Sequence, residues 1–355
     1  MGAIVQSIEQ LRDQVLAAAA TGSALRIRGG GSKDWYGQRL EGQVLDTRAH
    51  SGIVDYEPTE LVITARCGTP LAEIEAALAE RNQMLAFEPP HFGDRATFGG
   101  AVASGLSGPR RATSGAVRDF VLGAKLLDGK GQVLSFGGQV MKNVAGYDVS
   151  RLLAGSLGTL GVMLEMSVKV LPRPIREATL RFETSEIDAL RMLNEWGGMP
   201  LPVSASCWHG NALSVRLSGA QAAVDAAVRD LGGEVVDNAD AFWSRLREQQ
   251  HPFFAGADSL WRLSVPSTAG AIILKGEQLV EWGGAQRWLK ADADADMAQR
   301  IRRTAAAVGG HATLFRGGDK NVGVFHPLAP AVAKIHERLK ASFDPSNIFN
   351  PGRMY

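Results

Sequence analysis

Three glycine-dense stretches constrain this chain more than any other feature. The first, "RIRGGGSKDW" at residues 26–35, sets three consecutive glycines directly after a short apolar run. The second is "ATFGGAVASGLSGP" at 96–109, and the third is "GYDVSRLLAGSLGTLGVMLE" at 146–165. Glycine inside a regular element costs stability, so such clusters mark places where the backbone itself is the working part.

Known glycine motifs narrow the reading. A Rossmann loop wants G-x-G-x-x-G between a strand and a helix, with an acidic residue some 20 positions later. Here Gly29, Gly30, Gly31 and Ser32 lead into Lys33, Asp34, Trp35 and Gly37, with no helical pattern behind them. The Gly-Lys-Ser/Thr ending of a P-loop is also absent. An anion nest fits: consecutive N–H groups converge on a phosphate, and Ser32 adds a hydroxyl. A plain surface turn fits the triplet as well when it is taken alone. Three such loops in one region point instead to a long nucleotide ligand held mostly by main chain.

Composition closes off other classes. The net charge of +1 gives no reason to expect nucleic acid or an anionic membrane surface. Cys67 and Cys207 are the only cysteines, far apart in unrelated contexts, which argues against a disulfide framework. Iron–sulfur clusters usually take four cysteine ligands, so this chain cannot house one alone. No apolar run approaches the roughly 20 residues that span a bilayer. The first residues lack a basic segment leading into an apolar core, so the expected location is the cytoplasm, with any attachment to the inner membrane face made through partners.

Periodicity sets out the elements. Ser7 to Ala20 reads as a helix with Ser7 as N-cap, and Pro70 to Arg81 as another. Strands are expected at Leu25–Arg28, Val44–Asp46, Leu61–Ala65, Phe120–Leu127 and 162–172, with Val133–Phe136 as a hairpin partner. Asp148 to Leu153 reads as a short helix. From about residue 174 the texture changes. "EATLRFET", "ALSVRLSG" and "LWRLSVP" read as strands, while "SEIDALRMLNEW" and "AQAAVDAAVRDLG" read as helices. That is an α+β domain with an antiparallel sheet. The acidic run at "ADADADMAQRIRR" starts a surface helix, and the tail is a helix followed by an extended end.

The order of these pieces resembles the FAD-binding domain of the vanillyl-alcohol oxidase and p-cresol methylhydroxylase superfamily. The resemblance rests on "RIRGGGS", "ATFGGAVASG", "GAVRDFVLGAKLLDGKGQVLSFGG", "KNVAGYDVSRLLAGSLGTLGV", "LPRP" and the terminal "FDPSNIFNPGR". It covers roughly residues 1–172 and the last dozen. The implied fold class is α+β: an FAD-binding domain of two α/β subdomains, residues 1–172 completed by about 335–355, and a small α+β cap at 173–334. The implied cofactor is FAD. Gly29, Gly30, Gly31 and Ser32 would hold its pyrophosphate through backbone N–H groups. Thr97, Gly99, Gly100, Ser104 and Gly105 would line its second side. Arg118 and Asp119 would lie near the nucleotide, Gly161 and Val162 beside the adenosine half, and Asn350 next to the flavin.

The resemblance also implies a role. The short length and "VMKNVAGYDVSRLLAGSLGTLG" are similar to small FAD-binding subunits of multi-subunit 2-hydroxy-acid (glycolate) oxidases. The implied partners are a larger FAD-binding paralogous subunit and an iron–sulfur subunit that takes the electrons. A self-sufficient dehydrogenase and a mainly structural or electron-relay subunit are the alternatives. A nicotinamide-dependent reductase is a weaker one, since no nicotinamide fingerprint is visible.

Departures from the superfamily pattern matter. Some relatives tether the flavin to a histidine after the first loop; "SKDW" stands there, so the FAD is expected to be non-covalent. The acid of the common Gly-Ser-Glu-Gly is replaced by Leu157. The seven histidines, His50, His91, His209, His251, His311, His326 and His336, show no metal-ligand spacing, so no metal is expected. Oxidising a 2-hydroxy acid needs a carboxylate anchor and a proton acceptor. Arg262, Arg316 and Lys320 are candidate anchors and His326 a candidate base, each weighed against a role as a solvated or packed side chain.

Overall fold

The computed structural model describes residues 8–138 and 148–354. The chain divides into two compact units: Met1–Leu106, Ala116–Pro172 and Pro327–Tyr355 form the first, Ser107–Gly115 and Arg173–His326 the second.

In the first unit the helix Ile8–Thr21 buries Leu11, Val15 and Ala18, whose spacing puts them on one face. Its expected cap, Ser7, lies outside the described residues. That face packs on Leu25, Leu45, Leu127, Val162, Ile348 and Phe349. Leu25–Arg28 pairs in parallel with Gln43–Asp46, and Leu25 also bridges Phe349, so the C-terminal segment returns to the first strand. A five-stranded antiparallel sheet runs in the order Ile53–Glu57, Val62–Arg66, Val162–Lys169, Val121–Leu127, Val133–Gly137. The edge strand Ile53–Glu57 is absent from the sequence reading because Asp55, Tyr56 and Glu57 hide its apolar alternation. Leu71, Ile74 and Leu78 of the helix Leu71–Ala79 enter the core of this sheet with Phe98, Val102 and Met166.

The second glycine stretch differs from expectation. It is a helix, Phe98–Ser104, rather than an open loop. Thr97 caps it with extended backbone angles, and its side chain accepts from the Gly100 N–H. Of the third stretch, Gly146 and Tyr147 lie outside the described residues, as does the preceding "KNVA". The short helix expected at Asp148–Leu153 is a 3-10 turn, Ser150–Leu153.

The second unit is built on an eight-stranded antiparallel sheet. The helices Glu186–Gly197 and Gln221–Leu231 cover its first half over Leu180, Leu213, Val215 and Leu217. The helix Ala295–Ala307 covers the other over Trp261, Leu263, Leu289 and Leu314. The strands at Val203–His209, Gln278–Glu281, Gln286–Lys290 and His311–Gly317, and the helix Asp240–Arg247, were not read from sequence. Polar residues such as Ser204, Ser206, Glu281, Gln286 and Thr313 interrupt their apolar pattern, although all five are buried.

Residues 107–115, read as part of the FAD-binding domain, group with the second unit, and 327–334, read as cap, group with the first. The 107–115 segment is pinned at several points. Arg110 Nη2 donates to Glu177 Oε1 at 2.6 Å, Thr113 Oγ1 to the Ser204 carbonyl at 3.1 Å, and Trp282 Nε1 to the Gly108 carbonyl at 3.1 Å. The Arg111 guanidinium stacks 4.4 Å from the Trp282 ring. Trp282 holds φ +54, a strained value for a bulky residue that these contacts maintain.

Glu177 is the acid of this tie. Burial pushes its pKa up, but hydrogen bonds from Ser218 and Arg110 and the charge of Arg216 pull it further down, below its usual 4.5. A depressed carboxyl contributes stability that is present above its unfolded pKa and lost as pH falls through the folded value. Glu177→Gln should therefore cost about 1–3 kcal/mol near neutral pH in denaturant unfolding. The gap from the parent should be smaller at acid pH, below the usual 4.5, than at neutral pH. An equal gap at both pH values would remove Glu177 from this role.

Candidate cofactor site

Four segments distant in sequence converge on one cavity of about 90 Å³ in the first unit: the loop 27–34, the start of the helix Phe98–Ser104, Leu157, and the C-terminal Asn350 and Arg353. Gly29, Gly30, Gly31, Ser32, Thr97, Gly100, Ser104 and Asn350 all line it. The other expected cofactor residues do not. Gly99 packs on Cys67, Gly105 on Gly155, and Gly161 on Leu126 and Leu127. Val162 is buried in the core under the first helix. Arg118 and Asp119 lie in the short helix Val117–Phe120, where Asp119 Oδ2 accepts from the Ala116 N–H at 2.8 Å.

The triple glycine has two separate causes. A Cβ on Gly30 would fall on the carbonyl of Arg95, so the loop can lie against that strand of chain only without a side chain. Gly31 holds φ +73, the left-handed region that glycine adopts without strain. Among the described residues, no protein acceptor meets the N–H of Gly30, Gly31 or Ser32. Three consecutive unsatisfied N–H groups at a cavity wall form an anion nest, and backbone donors left unpaired are costly. The cradle and its donors fit the diphosphate of a dinucleotide.

Asn350 positions the walls. Its Oδ1 accepts from the Ile27 N–H at 2.9 Å, and its Nδ2 donates to the Leu157 carbonyl at 2.6 Å. Leu157, standing where relatives carry an acid, sits at φ +51, and its own N–H bonds the Ala103 carbonyl at 2.9 Å. Sequence reasoning missed the charged residues of the site. Asp34 Oδ2 accepts from Arg26 at 2.5 Å and from Arg28 at 2.9 Å. Lys33 Nζ donates to the His91 carbonyl at 3.2 Å. Arg353 reaches the carbonyls of Gln38, Lys33 and Asp34 at 3.3, 3.4 and 3.1 Å. Burial pushes its pKa down to about 10 against the pull of Asp34. The available signal was adjacency: Arg28, Lys33 and Asp34 flank the triplet, and Arg353 ends "NPGR".

The four candidate anchor and base residues lie in the second unit. Two of them approach a common partner. Arg262 lies 5.2 Å from the Phe315 ring, and two residues along the same strand Ser264 pairs with His311. The His311 ring is 6.5 Å from that of His326, whose Nδ1 accepts from the Ala312 N–H at 3.4 Å. Burial, and then Arg262 and His326, lower the pKa of His311; burial and then Arg302 lower that of His326. Arg316 is engaged elsewhere, by Gln249 Oε1 at 3.2 Å and the Phe254 carbonyl at 3.3 Å. Lys320 opens a short 3-10 turn capped by Asp319. A larger cavity of about 570 Å³ lies in the second unit between the helix Glu186–Gly197 and Trp282, and no ionisable side chain lines it. It offers no charged anchor for a carboxylate.

Comparison with known proteins places this geometry. The family profile described as an FAD binding domain matches residues 3–137. A solved structure of alkyldihydroxyacetonephosphate synthase superposes with a TM-score of 0.67 at 14% identity, over 97% of this chain and 74% of that one, which shows a shared fold. The chain is an FAD-dependent oxidoreductase with the p-cresol methylhydroxylase-type fold. It is 53% identical over 98% of its length to glycolate oxidase subunit GlcE of Escherichia coli (strain K12), covering 97% of that protein. The chain belongs to that family. Glycolate oxidase subunit GlcD of Bacillus subtilis (strain 168) is 32% identical over 42% of this chain and 31% of its own. A D-lactate dehydrogenase of Archaeoglobus fulgidus is 29% identical over 49% of this chain and 39% of its own.

Glycine substitutions separate the two causes of the loop. Gly30→Ala should lose both thermal stability and bound flavin, because the loop must leave the Arg95 carbonyl. Gly31→Ala should still fold, at a cost of about 1 kcal/mol for the left-handed backbone, while its Cβ pushes the Arg28 guanidinium away from Asp34. Its flavin content, read from the visible band, should fall. Full flavin retention by Gly30→Ala would refute the packing account.

Proposed function

We propose that this chain is the FAD-binding subunit of a multi-subunit glycolate oxidase, in which glycolate is oxidised to glyoxylate. The observation that carries the reading is its end-to-end similarity, 53% over 98% of the chain, to a glycolate oxidase subunit. Two electrons and two protons leave the 2-hydroxy acid, and bound FAD supplies the hydride acceptor. The electrons then pass to an iron–sulfur partner, since two cysteines, both buried and free, cannot ligate a cluster here. A larger FAD-binding paralogue completes the complex; the partial similarity to subunit GlcD supports this. The complex is cytoplasmic, and any attachment to the inner membrane face is through partners. Among the described residues, no helix is long and apolar enough to cross a membrane.

The residues of this chain would act by binding and positioning. The N–H groups of Gly30, Gly31 and Ser32 hold the diphosphate. Thr97, Gly100 and Ser104 form the facing wall, and Asn350 fixes Ile27 and Leu157 around it. Gly99, Gly105, Gly161 and Val162 act one layer back, shaping the segments that carry the wall, and the exposed Arg118 and Asp119 would lie near the nucleotide. The flavin is non-covalent, since Lys33, Asp34 and Trp35 occupy the tether position; acid precipitation should release all the FAD into the supernatant, and yellow pellet protein would refute this.

The substrate question divides the subunit reading from that of a self-sufficient dehydrogenase. In the latter, Arg262 would anchor the carboxylate, with Arg316 or Lys320 as substitutes, and His326 would accept the proton. The isolated chain should stay oxidised when mixed anaerobically with glycolate or D-lactate, and bleach once the larger subunit is added. Bleaching of the isolated chain at the rate of the full complex would favour self-sufficiency. A colourless chain that cannot be reconstituted with FAD would sink the cofactor reading.

A further inference from the structure

The nest accounts for main-chain contact with a phosphate but not for the charge of the wall around it. The ionisable side chains lining the cavity are Arg28, Lys33, Asp34 and Arg353. Three cations against one carboxylate leave two positive charges in excess within the lining. Asp34 is already committed, because one oxygen accepts from both Arg26 and Arg28. It fixes Arg28 at the cavity rather than offering itself to a ligand. Arg353 is only 5% exposed, and its hydrogen bonds run to three neutral carbonyls. Although burial draws its pKa down to about 10, it remains a cation at neutral pH. A buried cation whose hydrogen bonds end on dipoles is poorly compensated. The diphosphate diester of FAD carries two negative charges at neutral pH, which equals the excess.

We propose that Arg28, Lys33 and Arg353 form a cation wall that recognises the diphosphate of the cofactor by charge, beside the N–H nest of Gly30 to Ser32, with Asp34 as the internal splint that sets Arg28 in place. This rests on the reading of the cavity as the FAD site given under Proposed function. It goes beyond that reading in two ways. It makes the fourth residue of "NPGR" a binding determinant and not merely part of a chain terminus. It also means that a bare diphosphate is a ligand: the flavin-free chain should hold inorganic pyrophosphate, and FAD affinity should weaken as salt rises.

The test is a titration of flavin-free full chain with FAD, followed by fluorescence quenching at low and high salt. Arg353→Met and Lys33→Met, which keep most of the apolar stem, should each weaken FAD about tenfold and flatten the salt dependence. Inorganic pyrophosphate should displace FAD and raise the melting temperature of the parent more than that of either variant. Riboflavin, which lacks the diphosphate, should compete equally poorly for all three proteins. If Arg353→Met does not fold by circular dichroism, Arg353→Lys takes its place and should keep the salt dependence while losing some affinity. Folded charge variants that bind FAD as the parent does, with the same salt dependence, would overturn the cation wall and leave the FAD site standing. A parent that binds neither FAD nor pyrophosphate would overturn the FAD site itself.

Discussion

The candidate cofactor site hangs on a buried ion pair, Lys340 with Asp344. Lys340 Nζ donates to Asp344 Oδ2 at 2.5 Å, to the Thr159 carbonyl at 2.7 Å and to the Phe349 carbonyl at 2.8 Å. Asp344 in turn accepts from the N–H groups of Ile348 and Phe349 at 3.0 and 2.7 Å. All three ammonium protons and both carboxylate oxygens in this knot have a partner, the condition under which a buried pair is tolerable. Burial still draws the Lys340 pKa down, against its hydrogen bond to Asp344. Through the knot, one helix end sets where Phe349 meets Leu25, and therefore where Asn350 and Arg353 fall. The nest loop and Leu157 are then held by Asn350, which has little freedom of its own. Loss of either charge would leave the other buried and unpaired, so the site depends on two residues that line no part of it.

Much of this was legible in the sequence, for reasons that differ by element. Leu25–Arg28 and the helices near 71, 186 and 221 carry clean periodicity, because one face meets a core and the other meets solvent. The polar strands of the second unit were not legible. Buried Glu281 receives hydrogen bonds from Gln286 at 3.0 Å and Trp288 at 2.6 Å, so polar residues there are interior and satisfied. Pattern reasoning takes a buried glutamate for a surface position, and only the fold reveals its partners. The excursion at 107–115 was hidden for a similar reason. Its ties, Arg110 to Glu177 and Trp282 to Gly108, join residues dozens of positions apart.

The glycines mix two causes. Glycine density pointed to this region, yet only some of these residues face the cavity. Gly99 and Gly105 are small because Cys67 and Gly155 press against them, and Gly161 because the Leu127 strand does. Resemblance to a family does not separate these cases, since both kinds of position tolerate nothing larger. A Cβ would meet protein at every one of these glycines; what sets the ligand class apart is that Gly29, Gly30, Gly31 and Gly100 also line the cavity. Gly30 belongs to both. Its missing Cβ admits the Arg95 carbonyl, and its N–H faces the nest.

That dual role explains why charge was the least legible part of the site. A nest needs no side chains, so reasoning that begins from glycine stops at the backbone. The sequence shows Arg26, Arg28, Lys33 and Asp34 as an ordinary alternation of surface charge, and Arg353 as a polar terminus. Folding places one carboxylate between two of those arginines and brings Arg353 in from more than three hundred residues away. The resulting imbalance exists only in three dimensions. It suits the non-covalent binding proposed above: where no histidine tether fixes the cofactor, the diphosphate is the part of FAD with the charge to be gripped.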